Sequence, residues 1–221
     1  MISVIIPVFN EKAYLPKTLT YLKANQHPYE VLVVDGGSTD GSVELAQKKG
    51  LRVLESAVRQ RATQMNLGAR AAHGTSLLFL HADTLLCSDS LAKIASALND
   101  EETVGGAFAR RFDHPSFFLK VMCRLADFRG CLFGIYFGDQ GLFVKTEAFH
   151  RLGGFREMGM CEDADFSRRL RQLGRTRLLT PSILSSGRRF ENDGPIRRSL
   201  RDFWLLIRYW LKTSLYTQTK K

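Results

Sequence analysis

The sequence predicts an α/β protein built on one mostly parallel sheet with helices on its flanks. Three observations lead there. Apolar, β-branched runs recur at 2–8, 29–35, 51–56 and 76–81. Helix-like stretches separate them, the alternation that builds βαβ units. Two of the runs, SVIIPVFNE (3–11) and VLVVDGGSTDGS (31–42), break into polar residues where a helix should begin. In open α/β sheets that is where ligands bind, outside the carboxyl ends of the strands.

Each element has its own signal. Residues 11–24 set Leu15, Leu19 and Leu22 on one face, the spacing of an amphipathic helix. Thr39 or Asp40 caps a helix over 41–49. Residues 60–72 place Met65, Gly68, Ala69 and Ala72 together. Right-handed crossovers would bring the strand ends at Phe9, Asp35 and His81 to one edge. Beyond residue 85 the alternation loosens. A helix is expected over 88–99, a strand opened by glycines over 104–112, an apolar helix over 117–128 and a short strand over 141–146. A helix over 163–174 is stopped by Gly174, and a long basic, aromatic helix follows from 195.

Composition narrows the class. Apolar residues make up 44% of the chain, as in ordinary globular proteins. Cys87, Cys123, Cys131 and Cys161 lack CxxC spacing, which argues against a zinc site and fits a reducing compartment. Met1 runs into a strand with no basic leader, and that run is too short for a membrane span, so a cytoplasmic location is expected. The formal charge is +10, and residues 188–221 carry nine Lys/Arg against three Asp/Glu. Such an end suits a phosphate-bearing ligand, an anionic lipid surface or nucleic acid; the plain alternative is a solvated helix face. Nucleic acid ranks low, because the basic residues accompany an apolar helix rather than a groove-reading motif.

Chemistry-bearing residues cluster at the predicted strand ends. Pro7 cannot donate a ladder hydrogen bond and so suits a strand end beside a ligand. Phe9 can lie against a base; Asn10-Glu11 read either as ligand contacts or as a helix-capping pair. Asp35, followed by Gly36 and Gly37, can accept a hydrogen bond from the N–H edge of a pyrimidine, or close an Asx turn. Arg59, Arg61, Gln64 and Asn66 enter the third helix and suit phosphate contact. Asp83 ends a buried-type strand and can hold Mg²⁺ or Mn²⁺ against a diphosphate. His81, two residues earlier, is either a core histidine or a nitrogen ligand better matched to Mn²⁺. Glu162, Asp163 and Asp165 open a helix, where a carboxylate is kept ionised, as a general base requires, or simply caps.

Taken in order, SVIIPVFNE, VVDGGSTDGS, RATQMNLGA, HADT and CED resemble the inverting glycosyltransferases of family 2, which have the GT-A fold. GDQG (138–141) resembles that of small stand-alone bacterial members. The resemblance implies a nucleotide-diphosphate sugar donor, UDP-linked, and a divalent metal. Pro7, Phe9, Asn10, Glu11, Asp35 and Gly37 would cradle the nucleoside, and Arg61 would contact the donor. Asp83 would bind the metal, with His81 standing where the family has a second carboxylate. Asp163 would be the base and Glu162 would position the acceptor. Gly138, Asp139 and Gln140 would lie at the acceptor mouth, and Arg188 or Arg189 would reach the diphosphate.

The organisation implied is one domain: a nucleotide-sugar half over 1–100, an acceptor and catalytic half over 101–194, and a basic amphipathic helix over 195–221. In that helix Leu200, Phe203, Trp204, Ile207, Trp210, Leu211 and Leu215 form an apolar stripe. It packs on its own domain or lies on an anionic membrane at the inner face, which would suit a lipid-linked acceptor. A non-catalytic nucleotide-sugar or phospholipid-binding module is the competing reading, favoured by His81 and opposed by Asp83 and Asp163. A nucleotidyltransferase is disfavoured, since VFNEKAYL lacks the glycines of a triphosphate loop.

Overall fold

The computed structural model describes residues 1–201 and 204, without the side chains of Arg189, Asn192 and Asp193. The four apolar runs are parallel strands: β1 (Ile2–Val8), β2 (Tyr29–Asp35), β3 (Arg52–Glu55) and β4 (Ser76–Phe79). Helices α1 (Leu15–Lys23), α2 (Ser42–Lys48) and α3 (Arg61–Ala71) connect them. Next come β5 (Thr84–Leu85), α4 (Ser90–Leu98), β6 (Thr103–Phe112), α5 (Phe117–Phe133), β7 (Leu142–Lys145), α6 (Thr146–Arg151), α7 (Glu162–Leu173), β8 (Arg175–Ser185) and α8 (Arg188–Asp193). Among the described residues the strands form one sheet of eight, ordered β3-β2-β1-β4-β7-β6-β8-β5. Only β7 and β5 run against the rest, so the sheet is mostly parallel, as the sequence predicts.

Both faces of the sheet are apolar because helices cover both. One cluster joins Val4, Ile6, Leu78 and Phe143 to α1 and α4; the other joins Ile5, Leu77, Phe79 and Leu142 to α3 and α7. Pro7 sits inside the sheet without breaking it. Ile5 accepts from Leu80 N on the β4 side, and β4 pairing ends at Ile5↔Phe79, so the side Pro7 shares with Ile5 no longer needs an N–H.

Predicted boundaries move at several places. The first helix begins at Leu15 rather than 11, so Asn10-Glu11 does not cap it. β8 was not expected, because Pro181 and the Arg/Thr alternation of RTRLLTP weaken the strand signal. The β6–β8 ladder steps from Phe108↔Leu179 to Arg110↔Ile183 and passes over Pro181. Of the predicted C-terminal stripe, Leu200 and Trp204 are exposed; Phe203, Ile207, Trp210, Leu211 and Leu215 lie outside the described residues. Among the described residues no helix is long and apolar enough to cross a membrane.

Candidate active site

The loops after β1 and β2 are sewn into one floor. Asn10 has φ 55° and accepts from Thr39 N through its side chain at 2.9 Å. Asn10 N donates to Ser38 Oγ, Glu11 N to Ser42 Oγ and Lys12 N to Asp40. Asp35 is buried, and its carboxylate accepts from Gly37 N at 2.8 Å, Ser38 N at 2.9 Å and the Ser38 hydroxyl. It therefore closes an Asx-type turn, which Gly37 makes possible at φ 90°. The Arg59 guanidinium lies over the Phe9 ring, 3.5 Å from its centre.

The side-chain amides of Gln64 and Asn66, expected to suit phosphate contact, are bonded to backbone groups. Gln64 Nε2 donates to Val8 O and Val34 O, tying together the ends of β1 and β2. Asn66 exchanges two hydrogen bonds with the Phe155 backbone. Gln64 satisfies carbonyls that the ending strands leave open, and Asn66 satisfies both backbone groups of a loop residue.

Arg188 joins the far end of the chain to this floor. Its guanidinium lies 2.7 Å from Glu11 and 3.0 Å from Asp83, above the Tyr14 ring. Burial draws its pKa down, but the two carboxylates hold it above its ordinary value. Ser186 N donates to Asp83 O, fixing the approach of that segment. Arg189 stands beside Arg188, but its side chain lies outside the described residues.

Asp163 occupies the second position of α7, where the N-terminal end of the helix favours negative charge. Its Oδ2 accepts from Gly138 N at 2.9 Å; its Oδ1 is buried and accepts nothing from the described residues. Burial first, and then the neighbouring Glu162 charge, push this carboxyl up to about 7 against the pull of Arg61 and the Gly138 N–H. Glu162 is held loosely by Arg61, 3.8 Å away. Gly138 has no room for a side chain, since a Cβ would stand 2.7 Å from both Asp163 Oδ2 and His81 Nε2. The same contact places His81 and Asp163 on either side of one residue. Asp165 points the other way and binds Arg169 at 2.7 Å and Arg156 at 3.3 Å, anchoring α7 to the segment before it.

His81, Asp83, Arg61, Arg59, Gly138, Asp139, Glu162 and Asp163 line one cavity of about 730 Å³. Pro7, Phe9, Asn10, Glu11, Asp35, Gly37, Gln140 and Arg188 are not in its lining; Arg59, stacked on Phe9, and Asp83, paired with Arg188, link the lining to the β1 and β2 loops. Arg110, Arg129 and an apolar wall from α5 complete the cavity. Sequence reasoning missed these arginines. The available signal was a cation inside an otherwise apolar run, in GGAFARRF and in RLADFRG.

Asp83 and His81 bring one carboxylate and one imidazole to the cavity, with the Arg188 guanidinium 3.0 Å from that carboxylate. Among the described residues no group of three or more His, Cys, Asp or Glu that could hold a metal occurs. A cation held by these two side chains would take the rest of its shell from phosphate oxygens and water.

The sequence profile of glycosyl transferase family 2 matches residues 3–158. A "PGL/p-HBAD biosynthesis glycosyltransferase" of Mycobacterium bovis is 36% identical over 110 residues, covering 46% of this chain and 43% of the relative. An "Undecaprenyl-phosphate 4-deoxy-4-formamido-L-arabinose transferase" of Aeromonas hydrophila is 28% identical over 162 residues, covering 68% and 49%. The chain thus spans about half the length of these relatives. Among solved structures, a Pyrobaculum calidifontis mannosyltransferase in complex with GDP-Man and Mn²⁺ superposes with a TM-score of 0.70 and 26% identity, over 84% of this chain and 56% of that one. S. aureus TarS with UDP-GlcNAc gives a TM-score of 0.68 at 17% identity, over 84% and 58%, a likeness of fold. The fold is GT-A.

Proposed function

Because the chain belongs to glycosyl transferase family 2, we propose that it moves a sugar from a nucleoside-diphosphate donor to an acceptor hydroxyl with inversion at the anomeric carbon. The observation that carries this reading is Asp163, poised on the Gly138 turn with its pKa raised to about 7, in one cavity with Asp83. The acceptor hydroxyl loses its proton to Asp163 as its oxygen attacks, and Glu162 orients that hydroxyl. A base whose pKa lies near the working pH is well matched to this step. Pro7, Phe9, Asn10, Glu11, Asp35 and Gly37 shape the floor for a nucleoside, UDP being the expected carrier. Asp83 and His81 would hold the divalent cation, which supplies neutralisation of charge on the leaving diphosphate. Arg61 and Arg188 add positive charge on the same side.

Two experiments test this reading. UDP and GDP, titrated with and without Mn²⁺, should give tighter binding of one nucleotide in the presence of the metal. Asp83→Ala should remove that metal dependence, roughly a 10- to 100-fold loss in affinity with Mn²⁺ present. An Asp83→Ala protein that kept the full Mn²⁺ response would remove this residue from the metal site.

A lipid-linked acceptor and a peripheral membrane contact belong to the same proposal. The outer face of α5 carries Phe117, Val121, Leu125, Phe128 and Leu132, 39% to 80% exposed and spaced as one helical stripe. Exposed Lys120 and Arg124 accompany it. An apolar stripe with cations beside it suits an anionic bilayer surface, where each cation contributes about 1 kcal/mol. Lys120→Gln/Arg124→Gln should therefore weaken co-sedimentation with phosphatidylglycerol vesicles by about 25-fold. Equal, negligible sedimentation of the unaltered protein with anionic and neutral vesicles would dismiss the contact.

A further inference from the structure

Two guanidinium groups line the cavity, Arg110 buried and Arg129 half-buried, and only one of them is bonded to a carboxylate. Arg110 pairs with Asp139, while its Nε is buried and makes no hydrogen bond among the described residues. Arg129 donates from Nε to Ile135 O at 3.2 Å and from Nη2 to Gln140 Oε1 at 3.3 Å, and stacks on Phe137 with 4.2 Å to the ring centre. None of those partners is charged. Asp127, two residues earlier on α5, is bonded to Arg111 at 2.8 Å. Partial burial and the nearby Arg110 pull the Arg129 pKa down to about 10, and the Asp139 and Asp127 carboxylates offset this only in part. Holding such a cation away from water is costly unless an anion meets it.

The position says which ligand that anion would belong to. Asp139 and Gln140, the partners of the two arginines, share a short 3-10 turn with Gly138, whose N–H holds Asp163. Through that turn both arginines connect to the residue whose N–H holds Asp163. Arg59 and Arg188 stand instead with Phe9 and Asp83, on the nucleotide side, and Arg61 stands with Glu162 next to Asp163. Leu119, Met122 and Ala126 form the apolar wall beside Arg129.

We propose that Arg110 and Arg129 are an anion-binding subsite for the acceptor: the molecule that receives the sugar carries a phosphate or carboxylate held by these guanidinium groups and an apolar portion lying along Leu119, Met122 and Ala126. This rests on the glycosyltransferase reading for the word acceptor, not for the binding of the anion. The accepting hydroxyl would be a separate group on that molecule, placed at Asp163 while the anion is held on the arginines. A fork-shaped guanidinium suits either oxyanion.

Hexyl phosphate, heptanoate and the neutral hexyl glucoside are the probes, titrated calorimetrically into the full chain. One or both anions should bind at least 10-fold more tightly than hexyl glucoside, and the stronger of the two names the headgroup. Arg129→Gln should weaken the preferred anion by about 10- to 100-fold. It should leave UDP and GDP affinity within twofold, and Arg129→Lys should restore part of the loss. Equal binding of all three probes to the unaltered protein, or unchanged anion affinity in Arg129→Gln, overturns the subsite. If Arg129→Gln does not fold, Met122→Glu places a carboxylate on the same wall and must cause a comparable loss; unchanged affinity there overturns the proposal equally. Failure of the unaltered protein to bind UDP or GDP would sink the glycosyltransferase reading while leaving the probe result to decide the subsite.

Discussion

Asp163→Asn is expected to lose about 10²–10⁴-fold in turnover, the usual contribution of general-base assistance, with donor affinity unchanged. Asparagine keeps the shape, and its carbonyl can still accept from Gly138 N, so the loss would report the missing base rather than a collapsed turn. The unaltered enzyme adds a second readout. Only the ionised carboxylate can take a proton, so log(kcat/KM) should rise with unit slope below the raised value near 7 and level off above it. Stability should move the opposite way. The folded state holds the proton more tightly than the unfolded chain, whose carboxyl has the ordinary value of 3.8. The unaltered protein therefore loses stability between about pH 4 and pH 7 and is flat above. Asp163→Asn escapes that loss and should be more stable at pH 8 by on the order of 2–4 kcal/mol, with little difference at pH 4. Thermal unfolding at the two pH values, beside steady-state rates, tests both halves. A variant that kept full turnover would end the base assignment.

Gly106→Ala is expected to be the most damaging small change in the sheet. A Cβ there would lie 1.9 Å from Arg177 O, in the neighbouring strand. Backbone cannot step aside as a flexible side chain can, and β6 is held on both edges, by β7 and β8. The ladder is already irregular between Thr103 and Gly105, where the register against β8 shifts. Overpacking typically costs about 1–3 kcal/mol and more where nothing can relax; at about 2–4 °C per kcal/mol for a chain of this size, the midpoint should fall by roughly 6–12 °C. Gly37→Ala is the control, with no atom within 4 Å of the new methyl and only the positive φ to oppose it. A Gly106→Ala protein melting within 2 °C of the original would show that β8 gives way.

β1, β2 and β4 were legible because most of each strand is buried on both faces, so their apolar runs are continuous and their ends abrupt. β1 and β2 match their predicted spans, and the polar tips of β1 and β2 and the segment after β4 gather at one edge. The segment after residue 100 was less legible because its information is in pairs distant in sequence. Asp139 reads as a loop acid until Arg110, 29 residues earlier, is found against it. Gln64 and Asn66 look like ligand contacts in a polar helix start, yet each satisfies backbone far along the chain. Asp163 and Asp165 are indistinguishable in CEDADF; helical geometry turns one toward the cavity and the other into a cluster of arginines.

The Arg188 bridge has a consequence for any attempt to divide the chain. Glu11 and Asp83 both belong to the first hundred residues, while the guanidinium that balances them comes 177 positions after Glu11. An excised amino-terminal fragment would carry its acidic groups without that distant counterweight, and would also lack β7 and β8, the strands that flank β4 and β5. The first hundred residues are thus contiguous in sequence but not self-sufficient in charge: their electrostatic completion arrives from a segment about a hundred positions later.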